Sequence, residues 1–189
     1  MQGKLILVIG PSGSGKSALI AYLREVAPNI IFPVSCTTRE KRLGEKEGET
    51  YYFVSEEEFD ERITQEAFLE WASYGGHRYG TLKSEILPEL TAGNTVVREV
   101  EIQGAHILLK QLPKENIATI FVSAGPWSDL EKRIKARASI SEEELVTRHA
   151  RYEEEMTFMK EADISIENPD GKLEEAKHSF IEAIEQLRK

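Results

Sequence analysis

A lysine and a serine close a glycine-rich run, Gly10-Pro11-Ser12-Gly13-Ser14-Gly15-Lys16-Ser17. Residues of these types at this spacing match G-x-x-x-x-G-K-[ST], a pattern that holds phosphate. The glycines let the backbone curl so that successive N–H groups point at an anion. Lys16 brings a full positive charge to the outer phosphates. The Ser17 hydroxyl suits Mg2+, a hard cation that takes oxygen ligands, with water and phosphate oxygens completing its shell. Two elements must position these groups. Leu5-Ile6-Leu7-Val8-Ile9 reads as a buried strand leading into the loop. The segment from Ala18 reads as a helix with Leu19, Ile20, Leu23 and Val26 on one apolar stripe, ended by Pro28. Its positive end points at the same anion. On its own, the loop does not say what is phosphorylated.

The 189 residues suit one compact domain, with room for inserted subdomains. A net charge of −9 makes a general binder of nucleic acid or of an anionic membrane a poor expectation. No apolar run has the length of a membrane span. Met1-Gln2-Gly3-Lys4 runs directly into the first strand, so no signal peptide is expected. The one cysteine, Cys36, excludes an internal disulfide and fits a reducing, cytoplasmic setting. The histidines show no metal-ligand spacing. Any anionic ligand must therefore meet local positive clusters: Arg39, Lys41 and Arg42, and then Lys132, Arg133, Lys135, Arg137, Arg148 and Arg151.

Strand and helix patterns alternate through most of the chain. Residues 30–34 read as a second strand, and 51–54, 68–72 and 77–80 as short strands around a helix opened by a capping box at Ser55-Glu56-Glu57-Glu58. The core pattern resumes with a helix over 84–92, a strand over 95–101, a helix over 104–110 and a strand over 117–122. Capping boxes at Ser128 and Ser141 open two further helices. A last strand at 164–166 precedes a C-terminal helix with Leu173, Ala176, Phe180, Ile181, Ile184 and Leu187 on one face. The alternation predicts an α/β fold with a parallel sheet flanked by helices.

From Ser35-Cys36-Thr37-Thr38-Arg39 onward the chain resembles the guanylate kinases. The resemblance runs on through Gly44-Glu45, Gly48, Tyr51, Phe53-Val54-Ser55, Phe68-Leu69-Glu70-Trp71-Ala72, Tyr79-Gly80-Thr81 and Gln103-Gly104. It ends with Asp129-Leu130, Arg133, Arg137, Arg148 and Asn168. It implies a P-loop nucleoside monophosphate kinase fold with an inserted mixed α/β GMP-binding lobe at 35–83 and a helical lid at 128–148. The core would comprise 1–34, 84–127 and 149–189. It also implies transfer of the γ-phosphate of ATP to GMP or dGMP with Mg2+, by a monomer or small homo-oligomer. Gly10 to Ser17 and Asn168 would bind ATP. Ser35, Arg39, Arg42, Tyr51, Glu70, Tyr79, Thr81 and Glu101 would bind GMP. Lys16, Arg133, Arg137 and Arg148 would be catalytic.

The chemistry of these residues fits. A carboxylate such as Glu70 accepts both donors of guanine's Watson–Crick edge, N1–H and the 2-amino group, whereas adenine offers an acceptor there. Guanidinium forks suit phosphate oxygens. Arg133 and Arg137, four apart, share a helix face. Two departures from the family pattern stand out: Glu101, where an aspartate is usual, and Arg98 within the strand. A peptide-binding scaffold is the main non-enzymatic alternative, and an intact Lys16 and Ser17 argue against it. A GTPase reading rests on Glu101-Ile102-Gln103-Gly104 but lacks N-K-x-D. A P-loop kinase acting on a ribose bisphosphate would not need the guanine-reading set.

Overall fold

The computed structural model describes residues 2–137 and 140–189, the side chains of Tyr74 and Arg137 apart. In chain order the elements are β1 (Lys4–Ile9), α1 (Lys16–Val26), β2 (Ser35–Thr37), β3 (Tyr51–Phe53), α2 (Glu56–Thr64), β4 (Phe68–Tyr74), β5 (His77–Leu82), α3 (Lys83–Thr91), β6 (Thr95–Glu99), α4 (Ile102–Gln111), a 3-10 turn (Lys114–Asn116), β7 (Ile117–Ser123), α5 (Trp127–Arg137), α6 (Glu142–Phe158), β8 (Ile164–Glu167) and α7 (Leu173–Leu187). One four-stranded sheet has the order β6-β1-β7-β8 and the other the order β3-β2-β5-β4. The first is the parallel sheet expected from the alternation. β1 and β7 are apolar and buried almost throughout, as a strand covered on both faces requires.

The chain divides into two compact units. One holds the residues through Leu5, Ile30–Arg98 and Gln103–Ile117. Its small sheet is mixed: β2 runs parallel to β3 and antiparallel to β5, which is antiparallel to β4. Cys36, Phe59 and Phe68 form its buried centre, with Tyr52, Val54, Ile63 and Leu82 packed around them. α2 reaches that centre because its start is well specified. Ser55 Oγ accepts from Glu58 N, and the Glu58 carboxylate accepts from Ser55 N, the full capping box.

The other unit holds Ile6–Asn29, Glu99–Ile102 and Ala118–Lys189. Here α7 packs on α1 and β8, burying Ala176, Phe180, Ala183 and Ile184. Ala124, Leu130 and Ile134 form a second apolar cluster with Trp127, Ile140 and Tyr152.

Several local expectations are corrected. Residues 30–34 form no strand; Ile31 makes an isolated bridge to Val96, and the strand begins at Ser35. Pro33, which lacks an N–H, breaks any ladder there. α5 begins at Trp127, so Ser128 lies in its first turn and is not its cap. At Ser141 only half of the box forms: Ser141 Oγ accepts from Glu144 N, while the Glu144 carboxylate turns to Arg148. β6 stops at Glu99 rather than 101. Val26, placed on the apolar stripe of α1, is exposed.

Candidate active site

The loop between β1 and α1 is built around its own lysine. Lys16 is buried, and its ammonium donates to Gly10 O at 2.5 Å and Pro11 O at 3.1 Å and sits 3.5 Å from Glu99 Oε1. Glu99 Oε2 accepts from Ser17 Oγ at 3.2 Å. Gly15 precedes α1 with φ 97°, and a Cβ there would fall 2.2 Å from Asn168 Nδ2. Only glycine suits both that conformation and that approach. Asn168, itself buried, donates from Nδ2 to Ser14 O at 2.8 Å and so braces the loop from behind. The Ser14 hydroxyl is buried and has no hydrogen-bond partner among the described residues. An orphaned hydroxyl, a helix N-terminus and a buried ammonium in one loop have the chemistry to take a phosphate.

The same loop tests the fit of Mg2+. A hydroxyl at Ser17 beside a carboxylate at Glu99 is an oxygen donor set for a hard cation that takes its remaining ligands from phosphate and water. Among the described residues, no three of His, Cys, Asp and Glu gather as a metal cage, and such a shared site needs none.

Two further carboxylates stand near Lys16. The protein around Glu101 limits hydration of its carboxyl and pushes its pKa up; Lys16 and Arg151 pull it down, and Glu99 raises it further. Glu155 of α6 is pushed up to about 7, chiefly by burial and then by Glu101, against the pull of Lys16 and Arg151. Sequence reasoning missed Glu155, whose position depends on how α6 folds back.

The expected lid arginines are tied to different partners. Arg133 Nε donates to Asp170 Oδ1 at 2.5 Å, and its Nη2 to Asn168 O at 2.7 Å. Arg148 shares Glu144 Oε1 between Nε and Nη2, and its Nη1 reaches Ser12 Oγ at 3.3 Å. Arg148 therefore stands at the loop and Arg133 at the turn behind it. The Arg137 side chain lies outside the described residues. Lys132 and Lys135 make ordinary helix pairs with Asp129 and Glu131.

In the other unit, strand register assembles the remaining residues. Ser35 on β2 stands opposite both Tyr51 on β3 and Thr81 on β5, and Thr81 stands opposite Glu70 on β4. Tyr51, Ser35, Thr81 and Glu70 thus form one row across four strands, and Tyr79 lies on the same face two residues along β5. A bulge between Phe68 and Glu70 sets Glu70, not Leu69, opposite Thr81. The Thr81 hydroxyl donates to Glu70 Oε1. Glu70 is 7% exposed, so it is no solvated edge residue. Gly104, at the start of α4, leaves it space: a Cβ there would lie 2.9 Å from Glu70 Oε2.

Arg39 is buried and forked on Glu45, Nη1 to Oε2 at 3.0 Å and Nη2 to Oε1 at 2.7 Å. The hydrogen bond that Arg39 donates to Glu45, and after it one that it donates to Tyr79, raises the Arg39 pKa against the opposing effect of burial, so the charge is secure. Its guanidinium lies 5.6 Å from the Tyr51 ring centroid, and the Tyr51 and Tyr79 rings meet edge to face at 5.9 Å. Arg42 is exposed, and its backbone N–H donates to Glu45 Oε2 at 2.7 Å. Arg98, whose partner the sequence left unknown, is buried with Nη1 donating to Ser35 Oγ at 2.6 Å and Nη2 to Glu70 Oε1 at 3.3 Å. Burial lowers its pKa, and Glu70 foremost opposes that.

An α/β fold with a glycine-rich anion loop opening α1, and an arginine–tyrosine cluster beside a buried carboxylate, define a nucleotide-handling protein of the P-loop class. A family model described as "Guanylate kinase" matches residues 2–187. The chain is 36% identical over 188 residues to a guanylate kinase of Thermotoga maritima, covering 100% of this chain and 89% of that one. It is 41% identical over 170 residues to a guanylate kinase of a Nostoc species, covering 90% and 84%. The crystal structure of guanylate kinase from Anaplasma phagocytophilum superposes with a TM-score of 0.74 at 25% identity, covering 98% of this chain and 85% of that one. The chain belongs to the guanylate kinase family.

Proposed function

We propose that the residues assembled above carry out the family's reaction: phosphorylation of GMP, and of dGMP, by ATP with Mg2+. The chain is an ATP:GMP phosphotransferase. The observation that carries the substrate assignment is the row Tyr51–Ser35–Thr81–Glu70, in which a buried carboxylate stands with two hydroxyls able to hydrogen-bond a purine edge.

Residues 10–17 hold the ATP phosphates on loop N–H groups, with Asn168 bracing the loop. Lys16 exchanges Gly10 O and Pro11 O for phosphate oxygens. Ser17, with the Glu99 carboxylate beside its hydroxyl and Glu101 nearby, would hold Mg2+ directly or through water, and the ion would supply positive charge against the ATP phosphates. Arg39, Arg42, Tyr51 and Tyr79 clamp the GMP phosphate, and Glu101 completes the acceptor set. An acceptor oxygen attacks the γ-phosphorus, one P–O bond forms as the bond to the β-bridging oxygen breaks, and ADP leaves. No proton need be removed, because the acceptor phosphate is already ionised. Lys16, Arg133, Arg137 and Arg148 stabilise the charge of the group in transfer. Residues 35–83 act as the acceptor lobe and 128–148 as the arginine-bearing lid, with 1–34, 84–127 and 149–189 as core.

No helix among the described residues is long and apolar enough to cross a membrane. With a net charge of −9, a cytoplasmic monomer or small homo-oligomer that binds neither nucleic acid nor membrane fits best. A panel of nucleoside monophosphates with ATP and Mg2+ in a coupled assay tests the reading. GMP is expected as the preferred acceptor, with dGMP also turned over; preference for AMP or CMP overturns it.

A further inference from the structure

Arg98 brings a guanidinium against the Ser35 and Glu70 side chains of the base-reading row. It is 9% exposed, bridges Ser35 Oγ and Glu70 Oε1, and its Nε has no hydrogen-bond partner among the described residues. Nothing in the phosphoryl-transfer chemistry calls for a cation there. Its effect follows from the donor and acceptor inventory. A guanidinium only donates, so Ser35 Oγ must accept from it, which leaves the Ser35 O–H free to donate outward. A carboxylate only accepts, so the Thr81 O–H is committed to Glu70, and Thr81 offers lone pairs outward. Glu70 Oε1 already takes Thr81 and Arg98, and Oε2 is a second acceptor of the same carboxylate.

Along the sheet from Ser35 through Thr81 to Glu70, the row presents a donor at Ser35 and then acceptors, ending in the Glu70 carboxylate, which can accept both guanine donors. The Watson–Crick edge of guanine runs acceptor, donor, donor: O6, N1–H and the 2-amino group. Adenine places a donor where Ser35 donates, and inosine lacks the last donor.

We propose that Arg98 is a specificity-determining positioning residue, which sets the hydrogen-bond polarity of Ser35 and holds Glu70 as an acceptor for the guanine 2-amino group. This rests on the assignment of Glu70 as guanine reader. Arg98 does not touch the phosphates and contributes nothing to ATP binding.

The test compares kcat/KM for GMP and IMP, which differ only in the 2-amino group, in wild type, Arg98→Leu, Arg98→Lys and Glu70→Gln. In Arg98→Leu the GMP-over-IMP preference is expected to fall at least fivefold, through KM for the acceptor, with KM for ATP within twofold of wild type. Arg98→Lys should fall between Leu and wild type, because an ammonium restores the charge but not the fork. A wild-type preference in folded Arg98→Leu overturns the proposal, as does a parallel rise in KM for ATP. If Arg98→Leu does not fold, Arg98→Lys decides: a reduced preference supports the proposal and an unchanged one overturns it. Glu70→Gln separates the two levels. Impaired GMP use in Glu70→Gln with unaltered Arg98 variants refutes only the role of Arg98, whereas unimpaired Glu70→Gln refutes the guanine reading itself.

Discussion

Lys16 and Glu155 are two partly or fully buried charges whose surroundings set their behaviour. The Lys16 ammonium is held at the loop by carbonyls at 2.5 and 3.1 Å and by a carboxylate at 3.5 Å. Removing one preorganised charge-stabilising donor costs about 10²–10³ in rate. Lys16→Ala should therefore lower kcat by at least about 10²-fold while the circular dichroism spectrum stays that of wild type. Glu155 gives a pH dependence whose sign is fixed. Its pKa rises from 4.5 to about 7 in the fold, so the native state holds its proton more tightly than the unfolded chain. Stability from this group is full below about pH 4.5 and is lost as pH rises through about 7. Glu155→Gln should be more stable than wild type at pH 8, by up to about 3 kcal/mol, and the difference should narrow to less than about 1 kcal/mol by pH 5. Urea unfolding at the two pH values measures it, and a constant difference would count against the shift.

The Glu70 side chain depends on the elements that aim it. β4 reaches Thr81 with the correct side chain only because its ladder is bulged; unbulged, Leu69 would stand opposite Thr81. α4 approaches Glu70 closely only because position 104 lacks a Cβ. Gly104→Ala sets two effects against each other. Alanine favours a helix over glycine by up to about 1 kcal/mol, while its Cβ would meet Glu70 Oε2 at 2.9 Å. The contact acts on the carboxylate and the propensity on the whole fold. The expected outcome is a melting temperature near that of wild type with KM for GMP raised about tenfold, the size of one lost charged hydrogen bond. Steady-state kinetics with each substrate varied in turn checks it, with KM for ATP unchanged.

At the scale of the whole molecule, the anion loop and the row Tyr51–Ser35–Thr81–Glu70 fall in separate compact units. The loop belongs to the unit holding Ile6–Asn29, and the row, proposed to read the base, to the unit holding Ile30–Arg98. Each ligand should then stabilise the protein through its own residues. A ligand at about 100 times its dissociation constant adds about 2.7 kcal/mol. Thermal melts with one nucleotide at a time should show Lys16→Ala losing the upward shift from ATP while keeping that from GMP. Glu70→Gln should do the reverse. Loss of both shifts in either variant would contradict this division.

The sequence alone determined the anion loop, the alternation that makes a parallel α/β sheet and the guanylate kinase resemblance. Each is written locally: in glycine spacing, in strand-length apolar runs, in ordered motifs. Helix starts were less legible, because Ser128 and Ser141 both have a glutamate three residues on, and packing around Trp127 and the pull of Arg148 on Glu144 decided which caps formed. Only the tertiary structure decided that Tyr51, Ser35, Thr81 and Glu70 share one row, since register depends on a bulge and on pairings between strands far apart in sequence. It also decided the partners of the charges. Arg39 turned to Glu45, Arg133 to Asp170 and Arg98 to Ser35 and Glu70. A charged residue in a sequence states what it can bind, but a long side chain can reach many partners, and burial selects among them.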